Sequence, residues 1–166
     1  MVLHPGITSI GTYSFCATGI TNFVVPDYVT DVGSMAFQAC ASLASIDFGE
    51  LTFIPQSVCA SCSKLTNVTF SENITEIKSG AFSGTTNLKI NLIIPASVTK
   101  FGFNIIASSG ITSVTFEDSD GWTATKVSGN GPDTVTFTAS DLADPTINAR
   151  NLKSTSYYQY YNWEKF

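Results

Sequence analysis

Charged side chains are scarce in this sequence. Asp, Glu, Lys and Arg make up 13% of the 166 residues, and the formal net charge is -5. Typical globular domains carry roughly twice that charged fraction. Nucleic acids and anionic membrane surfaces are bound through clusters of Lys and Arg, which this composition does not supply. We therefore expect no nucleic acid among the partners of this chain.

Long apolar runs are also missing. A helix that spans a bilayer needs about 20 consecutive apolar residues, and the stretch INLIIP at 90–95 is far shorter than that. We therefore expect no membrane insertion.

The residues of common catalytic and metal sites are few. His4 is the only histidine, and the C-x-x-C pair Cys59 and Cys62 has neither a second pair nor a histidine nearby to complete a zinc site. Nucleophilic catalysis of the Ser–His or Cys–His kind needs a histidine beside the nucleophile. Glu50 and Glu72 come nearest to a glycosidase pair, but such a pair must face across a cleft, and an exposed rim is expected here. We expect no enzyme, no metal and no cofactor.

What the sequence does contain is a repeat. Five copies each begin with an aliphatic residue followed by Thr, at Ile7, Val29, Leu51, Ile74 and Val98. Three further positions recur in every copy. The position three residues later is apolar (Ile10, Val32, Ile54, Ile77, Phe101). The position eight residues later holds a bulky apolar residue or a cysteine (Phe15, Phe37, Cys59, Phe82, Ile106). The position eleven residues later holds a small hydroxyl or thiol residue (Thr18, Cys40, Cys62, Thr85, Ser109). Repeats of about 22 residues predict a solenoid, in which each copy packs only against its neighbours.

Each copy ends in a short stretch of alternating apolar and polar residues, which is typical of a half-buried strand. The five stretches are 20–25, 43–48, 65–70, 88–94 and 111–116, and the fourth has one extra residue near Leu88 to Ile90, which suggests a bulge. By alternation, two side chains per strand point to the open, concave face. They are Asn22 and Val24, Ser45 and Asp47, Asn67 and Thr69, Asn91 and Ile93, and Ser113 and Thr115.

The second copy, VTDVGSMAFQACASLASIDF at 29–48, resembles the BspA-like type of leucine-rich repeat. The fourth copy, 74–90, fits well too, whereas the third departs most, with Cys59 in place of the Phe and Pro55 in place of the Gly. The resemblance covers residues 3 to 117 and implies an α/β-type solenoid, a right-handed stack with one short parallel strand per repeat. It also implies a secreted or cell-surface protein whose partners are host or microbial surface proteins.

The first residues of the chain look like the end of one more repeat. LHPGITSIG at 3–11 matches the seam VVPDYVTDVG at 24–33. Because an open solenoid end exposes its core, we expect the chain to be a fragment with further repeats before it, so that the lack of a signal sequence carries no weight.

The remaining residues, 118–166, are predicted to form a C-terminal cap or trailer. The acidic stretch at 117–122 favours a turn over a calcium loop, because it lacks the carboxylate that an EF-hand needs further on. Two short strands are predicted within 121–141, around a Gly-rich loop, and a helix within 140–154, with Asp144 as its cap and Pro145 at its first position.

The aromatic end, YYQYYNWEKF at 157–166, has two interpretations. It either covers the apolar edge of the last repeat or offers Tyr and Trp side chains to sugar rings or a partner. A similar Tyr-rich trailer follows BspA-like repeats in large bacterial surface proteins, and this resemblance is weaker than that of the repeats.

We therefore predict a monomeric, non-catalytic interaction or adhesion module. The candidate binding residues on the concave face are Asn22, Ser45, Asp47, Asn67, Thr69, Asn91, Ser113 and Thr115. The alternatives are a carbohydrate-binding module, or a spacer within a larger surface protein. One structural prediction tests the repeat register. Cys40 and Cys62 should be buried neighbours. Their spacing allows a disulfide, but a ladder of small polar groups is the favoured interpretation.

Overall fold

The structure, a computed structural model, describes residues 3–127, 131–153 and 161–166. Each of the five repeats contributes two short strands, which lie on two different sides of the stack. The first strand of each repeat is β1 (Ser9–Ile10), β3 (Asp31–Val32), β5 (Phe53–Ile54), β7 (Glu76–Ile77) or β9 (Lys100–Phe101). The second is β2 (Asn22–Val24), β4 (Ser45–Asp47), β6 (Asn67–Thr69), β8 (Asn91–Ile94) or β10 (Ser113–Phe116).

The second strands of the repeats pair in parallel and in register, but the sheet they form is interrupted once. Strands β2, β4 and β6 form one sheet, and β8 and β10 form another. The extra residue of the fourth repeat explains the interruption. Leu88 and Ile111 occupy equivalent positions in their repeats, and Asn91 pairs with Ser113. Asn91 therefore lies three positions after Leu88, whereas Ser113 lies only two positions after Ile111.

The first strands form a second parallel ladder, which the sequence analysis did not predict. Strand β1 pairs with β3, and β5, β7 and β9 pair with one another, but β3 and β5 belong to different sheets. At this ladder the backbone N–H after each strand donates to the preceding repeat, as Gly33 does to Ile10 at 2.7 Å and Lys78 to Ile54 at 2.9 Å. Pro55 occupies that place in the third repeat and has no N–H to donate.

A six-residue turn segment joins the two strands of each repeat. These segments cover 12–17, 34–39, 56–61, 79–84 and 103–108. Three backbone N–H groups of each segment donate to the next one, as in the bonds from Tyr13, Phe15 and Ala17 to the carbonyls of Ser34, Ala36 and Gln38. The first and last of these donors have positive φ in every repeat, among them Gly80 at +68° and Gly84 at +73°. The turn segments thus form a hydrogen-bonded row through all four junctions between repeats.

The space between the two ladders and the turn segments is filled by apolar side chains. Each strand alternates outward and buried positions, with Leu43, Ile46 and Phe48 at 0–1% exposure in the second repeat. The rings of Phe15 and Phe37 stack at 5.2 Å between neighbouring repeats. Each fully buried large side chain contributes roughly 1.5–3 kcal/mol of hydrophobic stabilisation, which offsets the ordering entropy of its own repeat.

The C-terminal segment continues the second ladder. Strands β11 (Trp122–Lys126) and β12 (Thr134–Phe137) pair antiparallel, and β13 (Tyr161–Lys165) lies between β11 and β9. Helix α1 (Pro145–Leu152) packs on β10, where the buried Asn148 side chain donates to the carbonyls of Val114 and Leu142 at 3.0 and 2.9 Å. Both strand systems of the last repeat are therefore covered.

The solenoid of about 22-residue repeats is confirmed, with two differences from the sequence prediction. Each repeat has two strands, not one, and the fold is a β-solenoid rather than an α/β solenoid, because no described repeat contains a helix. Each six-residue turn segment has two residues with positive φ, at its second and last positions, which a helix does not allow. The predicted helix exists as the shorter α1, and Asp144 caps it by accepting from the N–H groups of Thr146 and Ile147.

Candidate functional site

The outward side chains of the second strands form one surface, which we call the ladder face. It consists of Asn22, Val24, Ser45, Asp47, Asn67, Thr69, Asn91, Ile93, Ser113 and Thr115, all of them exposed or half-buried. The pairing aligns Asn22 with Ser45 and Asn67, and Asp47 with Thr69. The eight predicted binding residues therefore all point outward, in two rows that run along the stack.

Hydrogen bonds link some of these side chains across neighbouring strands. The hydroxyl of Ser45 donates to Oδ1 of Asn22 at 2.7 Å. Near the other end, the side-chain amide of Asn91 donates to the hydroxyl of Thr115 at 3.1 Å, and this hydroxyl donates back to Oδ1 of Asn91 at 3.2 Å. Such pairs hold polar groups in fixed positions while leaving their remaining donors and acceptors open to a partner. Among the described residues, the side chains of Asn67 and Thr69 have no hydrogen-bond partner, so their donors and acceptors are open to a ligand.

The two rows are not continuous, which the sequence analysis did not foresee. Strands β6 and β8 do not pair, so Asn67 is not brought beside Asn91, nor Thr69 beside Ile93. The structure thus divides the predicted site into a block of three strands and a block of two. The extra residue of the fourth repeat was the signal available in the sequence, and a bulge within one strand was predicted from it instead of a gap between two.

The interruption also uncovers apolar side chains at two inward positions of the third repeat. Val68 and Phe70 point inward by alternation but are only partly buried. The equivalent residues elsewhere are shielded, such as Ile46 at 1% and Phe48 at 0% exposure. A groove of about 200 Å³ opens at this point, lined by the ends of both strands.

The charges near the ladder face are mostly negative. Asp47 is half-buried, and one of its carboxylate oxygens accepts from the N–H of Gly49 at 2.9 Å. Asp27 and Glu50 are exposed beside it and line the same cavity of about 270 Å³. In the described part of the chain, the ion pairs lie elsewhere and join Lys100 to Glu164, Lys126 to Asp133 and Lys165 to Asp118.

Of the three described aromatic side chains at the end of the chain, Phe166 is 87% exposed, whereas Tyr161 and Trp163 are buried. Trp163 is 1% exposed and its ring stacks on Phe137 at 4.5 Å and on Phe101 at 5.1 Å. Tyr161 is fully buried, and its hydroxyl donates to the carbonyl of Pro132 at 2.5 Å. These two side chains cover the last repeat, while Tyr157, Tyr158 and Tyr160 lie outside the described residues.

The acidic stretch after the last repeat is used as a turn. Asp118 accepts from the N–H of Asp120 at 3.3 Å and pairs with Lys165, whose hydrogen bond lowers the pKa of the Asp118 carboxyl. Gly121 has a φ of +74°, which favours glycine.

The thiol and hydroxyl groups form the predicted ladder inside the stack. Cys40 and Cys62 are both at 0% exposure, and each donates to the carbonyl of the preceding repeat's phenylalanine, Phe15 at 2.9 Å and Phe37 at 3.0 Å. Thr18 and Cys40 touch at 3.5 Å. All four cysteines are free. The equivalent bonds of Cys40 and Cys62, one repeat apart, confirm the repeat register.

Burial and a hydrogen bond between two of these thiols set their acidity. Burial raises the pKa of Cys59 well above its usual value, and it also raises that of Cys40, whereas the hydrogen bond from Cys59 lowers the pKa of Cys62. Within residues 3–127, 131–153 and 161–166, no three His, Cys, Asp or Glu side chains are grouped as a metal site would require. The same part of the chain has no helix with the length and apolar character to cross a bilayer.

Comparison with known proteins agrees with this architecture. A sequence profile of the BspA type leucine-rich repeat region matches residues 1–120, with six copies. No curated protein matches the chain.

Three solved bacterial structures share the fold. A leucine-rich repeat protein from Bacteroides ovatus is 20% identical, with a TM-score of 0.58 over 70% of this chain and 36% of its own. The pneumococcal vaccine antigen PcpA is 23% identical, with a TM-score of 0.61 over 69% of this chain and 29% of its own. A leucine-rich repeat protein from Eubacterium ventriosum is also 23% identical, with a TM-score of 0.54 over 67% of this chain and 37% of its own.

This chain thus spans about a third of the length of each of these proteins. The likeness at this level of identity concerns the fold, whereas the sequence profile covers well over half of the residues. The chain therefore belongs to the BspA-type leucine-rich repeat family.

Proposed function

We propose that this chain is a non-catalytic binding module of a secreted or cell-surface protein, and that it binds a partner protein through the ladder face. The observation that supports this most directly is the face itself. Its ten outward side chains are amides, hydroxyls, one carboxylate and two aliphatic groups, with no lysine or arginine among them. Repeat proteins commonly use such extended sheet faces for binding.

The energetic character of the face also suits a protein partner. Val24 is 63% exposed and Ile93 is 48% exposed, so apolar area remains to be buried on binding. Around them stand Asn, Ser and Thr side chains that can form hydrogen bonds at the rim of an interface. The surface location rests on the family, and on the fold that the chain shares with PcpA, which is described as a pneumococcal vaccine antigen. The host or microbial identity of the partner is part of the proposal.

Surface plasmon resonance with immobilised extracellular-matrix proteins, fibronectin and collagen, tests the proposal. We expect saturable binding of the monomeric chain that falls at least tenfold for Asn67→Lys and Thr69→Lys, because a charge is inserted where no side-chain bond holds either residue. Ser63→Lys is the matched control, since Ser63 is exposed in the same repeat but away from the ladder face. Binding that is equally weakened by all three variants, or no binding at all, would argue against this function and in favour of a spacer.

A further inference from the structure

The gap between β6 and β8 makes one part of the ladder face different from the rest. Along the row formed by Val25, Phe48, Phe70, Ile94 and Phe116, only Phe70 is not shielded, and the others are at most 8% exposed. In the neighbouring inward row, Val68 is again the exception, while Ile46 is at 1% and Leu92 at 2% exposure. The missing strand pairing therefore leaves two core side chains of the third repeat accessible from the ladder face.

The groove at this place has two adjoining parts. The apolar part, of about 200 Å³, is bounded by Val68, Phe70, Ile90 and Ile93. A cavity of about 150 Å³ accommodates a benzene ring, so this part has room for one aliphatic or aromatic side chain. Thr69 and Phe70 also line the second part, of about 270 Å³, so the two parts adjoin at these residues.

The second part of the groove is acidic. Asp27, Asp47 and Glu50 line it, and none of the three belongs to an ion pair in the described part of the chain. No lysine or arginine lines either part. Three carboxylates beside an apolar slot are complementary to a cationic group adjacent to an apolar one.

We propose that this groove binds an extended segment of a partner protein in which an aliphatic or aromatic side chain stands next to Lys or Arg. The apolar side chain fills the slot beside Phe70 and Ile93, and the cationic side chain lies against Asp47 and Glu50. The proposal rests on the proposed function, because it specifies the chemistry of the partner at the ladder face. A second copy of this chain is the less suitable occupant, since two molecules with a net charge of -5 repel one another.

NMR titration of the full chain with short peptides tests this chemistry. The probe is acetyl-Gly-Ser-Lys-Phe-Lys-Ser-Gly-amide, and two control peptides replace either Phe by Ser or both Lys by Glu. We expect the probe to shift the backbone amide signals of 47–50, 68–70 and 90–93, and each control peptide to bind at least fivefold more weakly. Raising the salt concentration should weaken binding of the probe, because the cationic contact is screened.

Two variants locate the site, each with a matched control. Ile93→Ser removes one wall of the slot, and Asp47→Asn removes a charge while keeping an acceptor for the N–H of Gly49. Both should lower the affinity of the probe at least threefold. The controls Ile147→Ser and Asp31→Asn alter an exposed aliphatic and an exposed acidic residue outside the groove and should leave the affinity unchanged.

The outcomes separate this inference from the proposed function. If matrix proteins bind through Asn67 and Thr69 but the probe shifts no groove signals, the groove proposal is wrong and the ladder-face function stands. If the probe binds the groove while no matrix protein binds, the groove chemistry is supported and the proposed adhesion is not. Equal binding of the Glu control peptide, or sedimentation that shows a dimer dissociated by Ile93→Ser, would overturn the choice of occupant.

Discussion

The two ladders of this solenoid are interrupted at different junctions and for different reasons. The second ladder stops between repeats two and three, where Pro55 removes a donor, and the ladder of β2 to β10 stops between repeats three and four, where one residue is inserted. The row of turn segments crosses both junctions with three backbone hydrogen bonds each. Every junction therefore keeps at least two of its three hydrogen-bonded connections.

The two interruptions differ in what they expose. Pro55 is itself buried, and Ile54 beside it is at 0% exposure, so the missing strand pairing leaves the core closed at this junction. The inserted residue displaces a whole strand register and leaves Val68 and Phe70 partly open. A missing donor is thus a local defect, whereas a change of repeat length reshapes the surface and creates a groove.

The largest expected effect compares the same core position in two neighbouring repeats. Phe48→Ala should lower the free energy of unfolding by about 3–5 kcal/mol, as is usual for a fully buried ring. Phe70→Ala should lower it by only about 1–2 kcal/mol, because part of that ring is already in contact with water. Urea unfolding of both variants provides the measurement, and equal losses would show that the groove is closed in solution.

Deletion of Ile90 should remove the interruption between β6 and β8. The deletion restores the spacing of the other repeats, so that β8 can pair with β6 and cover Val68 and Phe70. We expect a gain in unfolding free energy of roughly 2 kcal/mol from the newly buried apolar area, together with slower hydrogen exchange of the amides of 67–70. A less stable protein with unchanged exchange would show that the inserted residue is needed for another contact.

The third prediction concerns the row of turn segments that spans the gap. Gly84→Ala should cost about 1 kcal/mol, because its φ of +73° is unfavourable for any residue with a Cβ. The added Cβ would meet Ser61 at 3.4 Å, an ordinary contact, so that strain rather than collision determines the loss. Ser61→Gly, at the equivalent position with a φ of +62°, should change stability in the opposite direction. Thermal unfolding of both variants tests whether they differ in sign.

The smallest expected effect tests the Pro55 interruption. Pro55→Ala supplies a donor worth about 1 kcal/mol in a formed hydrogen bond, but it also frees the unfolded chain by a similar amount. Stability should therefore barely change, while the new amide at position 55 becomes protected from hydrogen exchange by the carbonyl of Val32. Exchange of that amide at the rate of an exposed group would mean that the ladder is broken for a reason other than the missing N–H.

The positions that the sequence predicted best are those where one rule acts alone. The outward direction of Asn22, Ser45 and Thr69 follows from strand alternation, and the contact of Thr18 with Cys40 follows from the 22-residue interval. The second ladder was missed because two-residue strands such as Ser9–Ile10 are too short to show alternation. The Thr after each aliphatic residue was a usable signal, since Thr30, Thr52 and Thr75 lie in the hydrogen-bonded seam between repeats.

The sequence by itself determined the repeat, its register, the buried positions and the side chains of the ladder face, because each of these depends on periodicity within one chain. Only the tertiary structure decided which neighbouring strands pair. Strand pairing requires that the backbone donors and acceptors of two neighbouring repeats lie opposite one another. One inserted residue near Ile90 prevents this at one junction, and the missing N–H of Pro55 prevents it at another. The tertiary structure also decided that Trp163 covers the last repeat, because β13 pairs with the open edge of β9 and places the Trp163 ring in the core.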